Sequence, residues 1–272
     1  MKVLVAVDIE GVAGVVHPDQ ARPGNAEYER ARRWMTAEAN AAIAGARAGG
    51  ATDVVVNDSH GDFRNLIAED LDPAARLLQG KPRELGMMAG VDDGCAAVFL
   101  VGWHAKAQSA GVLAHTINGT AFARILVNGE EAGELALYGG VAAEFGVPVA
   151  FVCGDDRCVA EAAALFPHAV GVAVKTAHGH RSATSLAPQA ACAAIEAGAR
   201  AAALRVPSLR IAPLKSPFSV RVQCAGPAFA DLFALLPAVR RVDAATLEFA
   251  SPTMRHAVRM LNSLSAMSFM LR

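Results

Sequence analysis

VLVAVDIEG, at residues 3–11, is an apolar run that passes directly into two carboxylates, Asp8 and Glu10. A run this short, bounded by polar residues, reads as a strand buried on both faces. The form recurs in VVVNDSHG at residues 54–61 and VFLVGWHA at residues 98–105. In an open parallel sheet the carboxyl ends of the strands gather along one edge, and ligands bind in the crevice there. Asp8, His60 and His104 therefore converge despite their separation in the chain. Asp8 and Glu10 are two positions apart, so on an extended chain they face the same side.

Outward from these three runs, residues 125–127 and 147–152 also read as strands, with helical patterns between. The clearest helix starts at the N-cap Asn25, carries Tyr28, Trp34, Met35, Ile43 and Ala46 on its pattern, and stops at Gly49-Gly50. Asp155-Asp156 reads as another helix start, its charges set against the dipole. Strands alternating with helices predict an α/β fold, a mostly parallel sheet sandwiched by helices. Asn128-Gly129 is a strong hairpin signal, so residues 121–137 are expected to form an antiparallel pair beside the main sheet, with Glu134 on its second arm. After an alanine-rich helix near residues 189–204, Pro207, Pro213 and Pro217 mark a linker. A strand at 218–223, a helix at 229–236, a strand at 245–249 and a helix from Thr253 then suggest a smaller C-terminal α+β unit. The expected division is residues 1–205, carrying the chemistry, and 206–272, contributing to oligomer contacts.

The 272 residues suffice for a full core without disulfide or metal staples. A formal charge of −1 with no basic stripe argues against nucleic acid as a partner. No apolar run reaches the length of a membrane span, and Asp8 and Glu10 interrupt the first one too early for a signal peptide; a cytoplasmic location is the expectation. The five cysteines are odd in number and lack a C-x-x-C pair, as expected of reduced core thiols.

Asp8, Glu10, His60, His104 and Glu134 form an oxygen-rich ligand set suited to two divalent ions. Such ions acidify a water and polarise a carbonyl, as amide hydrolysis at neutral pH requires. His115, in the polar loop AHTINGT at 114–120, is placed to donate a proton or stabilise charge beside them. His178 and His180 read as a solvated turn, and His17, His168 and His256 have no ligand-like context. Ser59 between Asp58 and His60 mimics a hydrolytic triad, but consecutive residues cannot adopt the relay geometry and no G-x-S-x-G elbow occurs. The residues alone leave open a dimetal amidase, a phosphoesterase, or a non-catalytic peptide-binding protein linked to dipeptide transport. Phosphate chemistry is the less favoured, since the site motifs contain no Arg or Lys.

Taken together, VDIEG (7–11), NDSHG (57–61), GWHA (102–105), AHT (114–116), GEL (133–135) and GDD (154–156) resemble the M55 metallopeptidases. The resemblance implies two zinc ions per subunit, with Asp8 bridging them, Glu10 and His104 on one ion, and His60 and Glu134 on the other. It implies His115 as the catalytic residue, and removal of the N-terminal residue from short peptides, in the type member with a preference for D-amino acids. It also implies a homo-oligomer, a ring decamer in the type member.

Overall fold

The computed structural model describes residues 1–211, 214 and 216–271; Pro213 of the expected linker lies outside them. The main sheet has seven strands: β1 (Lys2–Val7), β2 (Asp53–Asp58), β3 (Ala75–Leu78), β4 (Ala97–Trp103), β7 (Val149–Asp155), β8 (Val170–Gly179) and β9 (Ser182–Ser185). Their order is β3-β2-β1-β4-β7-β8-β9, parallel throughout except for β9, which returns antiparallel along β8. Side-chain alternation along β1 sends Val3, Val5 and Val7 into one core and Leu4 and Ala6 into another, the pattern of a sheet covered on both faces.

Helices α1 (Ala26–Ala48) and α4 (Pro188–Arg205) cover the first face. They pack closely because α1 carries glycine at the contact: a Cβ on Gly45 would lie 2.3 Å from the Glu196 carbonyl oxygen. Helix α1 begins as its sequence predicts, with Asn25 Oδ1 accepting the Tyr28 amide at 3.0 Å. The second face is covered by α2 (Glu134–Glu144), by α3 (Asp156–Leu165), and by an antiparallel sheet that packs on α6 (Met254–Met267). That sheet is ordered β11-β12-β10-β5-β6, from β5 (Phe122–Val127), β6 (Glu130–Glu131), β10 (Phe218–Cys224), β11 (Arg240–Arg241) and β12 (Thr246–Ser251). Helix α5 (Pro227–Phe233) follows β10. The mostly parallel α/β fold is thus as expected. Among the described residues no helix is long and apolar enough to cross a membrane.

Several local expectations need correction. The turn forms at Asn128 (φ 53°) and Gly129 (φ 89°), both left-handed as its two central positions require. Its second arm, however, is only Glu130–Glu131, and Glu134 opens α2 instead of continuing a strand. The reason is local: from Glu134 the chain reads ELALYGGVAAE, rich in helix formers, and Gly133 caps it with extended backbone at φ −89°, ψ −177°. The pair also belongs to the antiparallel sheet, through β5 beside β10, and not to the main sheet's edge. His178 lies within β8, not in a turn; the reversal to β9 is made at His180 and Arg181. Pro207 sits in a single 3-10 turn at Val206–Ser208.

Candidate metal centre

Asp8 follows β1 and Glu10 lies in the turn after it, His104 follows β4, and His60 follows β2 by two residues. The ends of β1 and β4 are drawn into backbone contact: the Gly11 amide donates to the Gly102 carbonyl at 2.8 Å, and the Asp8 amide to the Val101 carbonyl at 2.8 Å. This approach needs glycine. A Cβ on Gly11 would sit 2.0 Å from the Trp103 carbonyl oxygen, and Gly102, at φ 69°, would press one 2.3 Å from the Asp8 carbonyl oxygen.

His60 Nδ1 stands 3.2 Å from Asp8 Oδ1 and 3.1 Å from Glu10 Oε2. His104 Nε2 stands 3.6 Å from Asp8 Oδ2 and 3.5 Å from Glu134 Oε1. His115 Nε2 is 3.9 Å from Glu134 Oε1, and its ring stacks on that of His104 at 4.2 Å and 15°. All six sequence-selected residues therefore meet at one sheet edge. The Ser59 hydroxyl donates instead to the Asn57 carbonyl at 3.2 Å, which removes it from the site.

Each histidine is anchored by one ring nitrogen to a main-chain carbonyl: His60 Nε2 to Ala21 O at 2.7 Å, His104 Nδ1 to Ala105 O at 3.0 Å, and His115 Nδ1 to Leu113 O at 2.9 Å. A carbonyl only accepts, so the anchored nitrogen carries the hydrogen. The other nitrogen faces the carboxylates, as in histidines oriented for metal ligation. Glu134 is steadied by the Ile117 amide, which donates to Oε1 at 2.6 Å. Ile117 reaches that position with φ 61°, costly for a β-branched residue.

The bare side chains form a tightly coupled buried cluster. Burial, then the Glu10 carboxylate, push the Asp8 carboxyl up to about 8, against the pull of His60. Burial would also raise Glu10 and Glu134, but the imidazoles of His60 and His104 respectively outweigh it and lower both. Burial would lower His60 and His104, yet the facing carboxylates raise both strongly. His115 goes down, through burial and the His104 charge. The Glu10 and Glu134 carboxylates thus draw positive charge onto His60 and His104 respectively, a field that divalent cations also satisfy. Glu10 Oε2 accepts no hydrogen bond, and this donor set of carboxylates and imidazoles suits zinc. Asp8, Glu10 and His104 offer ligand atoms all within 4.8 Å of one another, and so do His104, His115 and Glu134.

The open side is marked by exposure: the His115 side chain is 26% exposed and that of His60 15%, while those of Asp8, Glu10, His104 and Glu134 are closed off.

Sequence reasoning identified Asp155 as a helix start but not its hold on a loop, and it missed Lys175 and Glu38. The Asp155 carboxylate caps α3 through the Cys158 amide at 2.7 Å and takes the Val112 amide of the His115 loop at 2.6 Å. Lys175 and Glu38 are buried against the turn after β1. A lone lysine within the apolar run VGVAVKTA is the signal that could have singled out Lys175.

Residues 1–263 match the Peptidase M55 family model, described as D-aminopeptidase. A D-aminopeptidase of Bacillus subtilis (strain 168) is 38% identical over 188 residues, 69% of this chain and 68% of that protein. A solved structure, described as "Zn-dependent D-aminopeptidase DppA from Bacillus subtilis, a self-compartmentalizing protease", is similar with a TM-score of 0.95 and 30% identity, over 99% of this chain and 98% of that one.

Proposed function

The chain belongs to the Peptidase M55 family of D-aminopeptidases, and from that premise we propose that it is a zinc-dependent aminopeptidase that removes the N-terminal residue, including a D-residue, from short peptides. The observation that carries the reading is the convergence of Asp8, Glu10, His60, His104 and Glu134 at one sheet edge, with His60 and His104 each anchored so that one nitrogen is turned inward.

In this reading Asp8, Glu10, His60, His104 and Glu134 would hold two zinc ions per subunit, Asp8 shared between the two, Glu10 and His104 assigned to one, and His60 and Glu134 to the other. Bound zinc supplies an acidified water and a polarised peptide carbonyl. His115 keeps Nδ1–H on the Leu113 carbonyl and offers Nε2 as a base, taking up a proton and returning it to the leaving amine. The stack on His104 and the left-handed backbone at Leu113 (φ 51°) and Ile117 hold that ring in place. Substrate enters past His115 and His60, the exposed members of the set.

The proposal extends to a cytoplasmic homo-oligomer, in its fullest form a ring decamer enclosing the sites. It is supported by the self-compartmentalizing description of the similar structure and by large exposed apolar side chains at Leu204, Leu235 and Met270. Residues 1–205 are taken as the unit carrying the centre, and 206–272 as the unit at subunit contacts.

Zinc-loaded protein incubated with matched free and N-acetylated dipeptides, in L and D series, tests the activity. Cleavage of free dipeptides alone is the expected result. Equal cleavage of the capped forms would make the protein a general amidase, and binding without cleavage would end the enzymatic reading.

A further inference from the structure

The turn that carries Glu10 is gripped from outside by three other elements. Lys175, buried in β8, directs Nζ at three main-chain carbonyls: Glu10 O at 2.6 Å, Val12 O at 2.9 Å and Val15 O at 2.6 Å. Glu38 of α1 accepts the Ala13 amide at 2.8 Å, and the Ser185 hydroxyl of β9 accepts the Gly14 amide at 3.2 Å. An ammonium has three donors and no acceptor, so three convergent carbonyls satisfy it in full. Among the described residues no carboxylate forms a direct ion pair with it; Glu38, Asp155 and Glu10 meet its charge at longer range. Burying a charge is costly unless its partners are well placed, so a lysine kept here argues for what those partners do.

We infer that Lys175 is a positioning residue for the candidate metal centre, locking the turn at residues 10–15 so that the Glu10 carboxylate faces Asp8 and His60. The inference rests on the zinc reading proposed above. The decisive detail is where the grip falls. Lys175 holds Glu10 by its carbonyl, which leaves the carboxylate free to face His60 across 3.1 Å, with Oε2 carrying no hydrogen bond. A tether through the side chain would consume the oxygen that a cation needs.

Lys175→Met keeps most of the side chain's length, one atom short, and removes its charge and donors. In metal-depleted protein, hydrogen exchange at the Ala13 and Gly14 amides is expected to quicken at least tenfold relative to wild type. Zinc affinity, measured by competition with a chromophoric chelator, is expected to weaken by roughly ten- to a hundredfold, the usual effect of losing an outer partner of a ligand. Lys175→Ala should show the same defect and regain affinity with n-propylammonium, which replaces the deleted atoms and the charge, but not with n-propanol. If Lys175→Met does not fold, Lys175→Arg decides: it keeps the charge but not three convergent donors, and a tenfold loss of zinc affinity is expected. Wild-type zinc affinity with unchanged exchange in the variant that folds would overturn the inference. A wild-type protein that binds no zinc would instead defeat the metal reading, and with it the role assigned here, whereas the exchange result alone would still decide whether Lys175 holds the turn.

Discussion

At the scale of single residues, the six side chains of the centre fall into separable roles. His115 packs flat on His104 and is the most exposed of the set, so its loss leaves the other five in place. His115→Ala is expected to retain its metal while kcat falls roughly a hundredfold and KM changes little. Metal content and turnover on one preparation check this, and loss of metal together with activity would make His115 a ligand. Asp8 is the residue that touches both histidines, so Asp8→Ala should remove more zinc than any other single ligand change, as read by elemental analysis after dialysis; a smaller loss than for His60→Ala would reverse the assignment. Glu38 permits a test by pH. Burial pushes its carboxyl from 4.5 up to about 7, against the Ala13 amide and the Lys175 charge. The folded protein therefore holds a proton that the unfolded chain releases. The corresponding stability, roughly 3 kcal/mol, is present below about pH 4.5 and is lost as pH rises through about 7. Glu38→Gln lacks this slope, so denaturant unfolding should show it gaining on wild type between pH 5 and pH 8. A constant difference across that window would show that Glu38 does not titrate there.

At the scale of elements, what could be read in the sequence was what local chemistry decides. The runs ending in Asp8, His60 and His104 announce both the parallel sheet and its functional edge, because strand ends in such a sheet have nowhere else to gather. Asn25, Gly49 and Thr253 mark helix ends by capping alone. Glu134 was found, but its element was misread, since the strand before it is two residues long and a turn signal says nothing of where pairing stops. The edge hairpin β8–β9 was invisible, because Gly171 and Lys175 interrupt its apolar pattern. Lys175 acquires meaning only from carbonyls 160 to 165 residues away. The contact of α1 with α4 gives a test in which two effects oppose. Gly45→Ala gains up to about 1 kcal/mol of helix propensity, but places a methyl where only 2.3 Å separates it from a main-chain oxygen. Overpacking costs roughly 1–3 kcal/mol, so the variant should be less stable by chemical denaturation; a stabilised variant would show that the two helices part freely.

At the scale of the whole molecule, the proposed assembly predicts a light-scattering mass several times 28.1 kDa at micromolar concentration, and a clean monomer would remove the enclosed chamber while leaving the metal chemistry intact. Within one subunit the chain is woven: β10 lies between β12, from the same C-terminal stretch, and β5, which comes from the half that bears the centre. Helix α6 packs likewise on α2, and Glu144 at the end of α2 accepts the amides of Met254 and Arg255. A single tryptic nick after the exposed Arg210 would therefore give two bands on a denaturing gel but one particle in gel filtration. The pieces 1–210 and 211–272 have the properties of a split reporter: neither half owns a complete antiparallel sheet, and fusing each to one member of an interacting pair would make peptide turnover a signal of that pair's encounter.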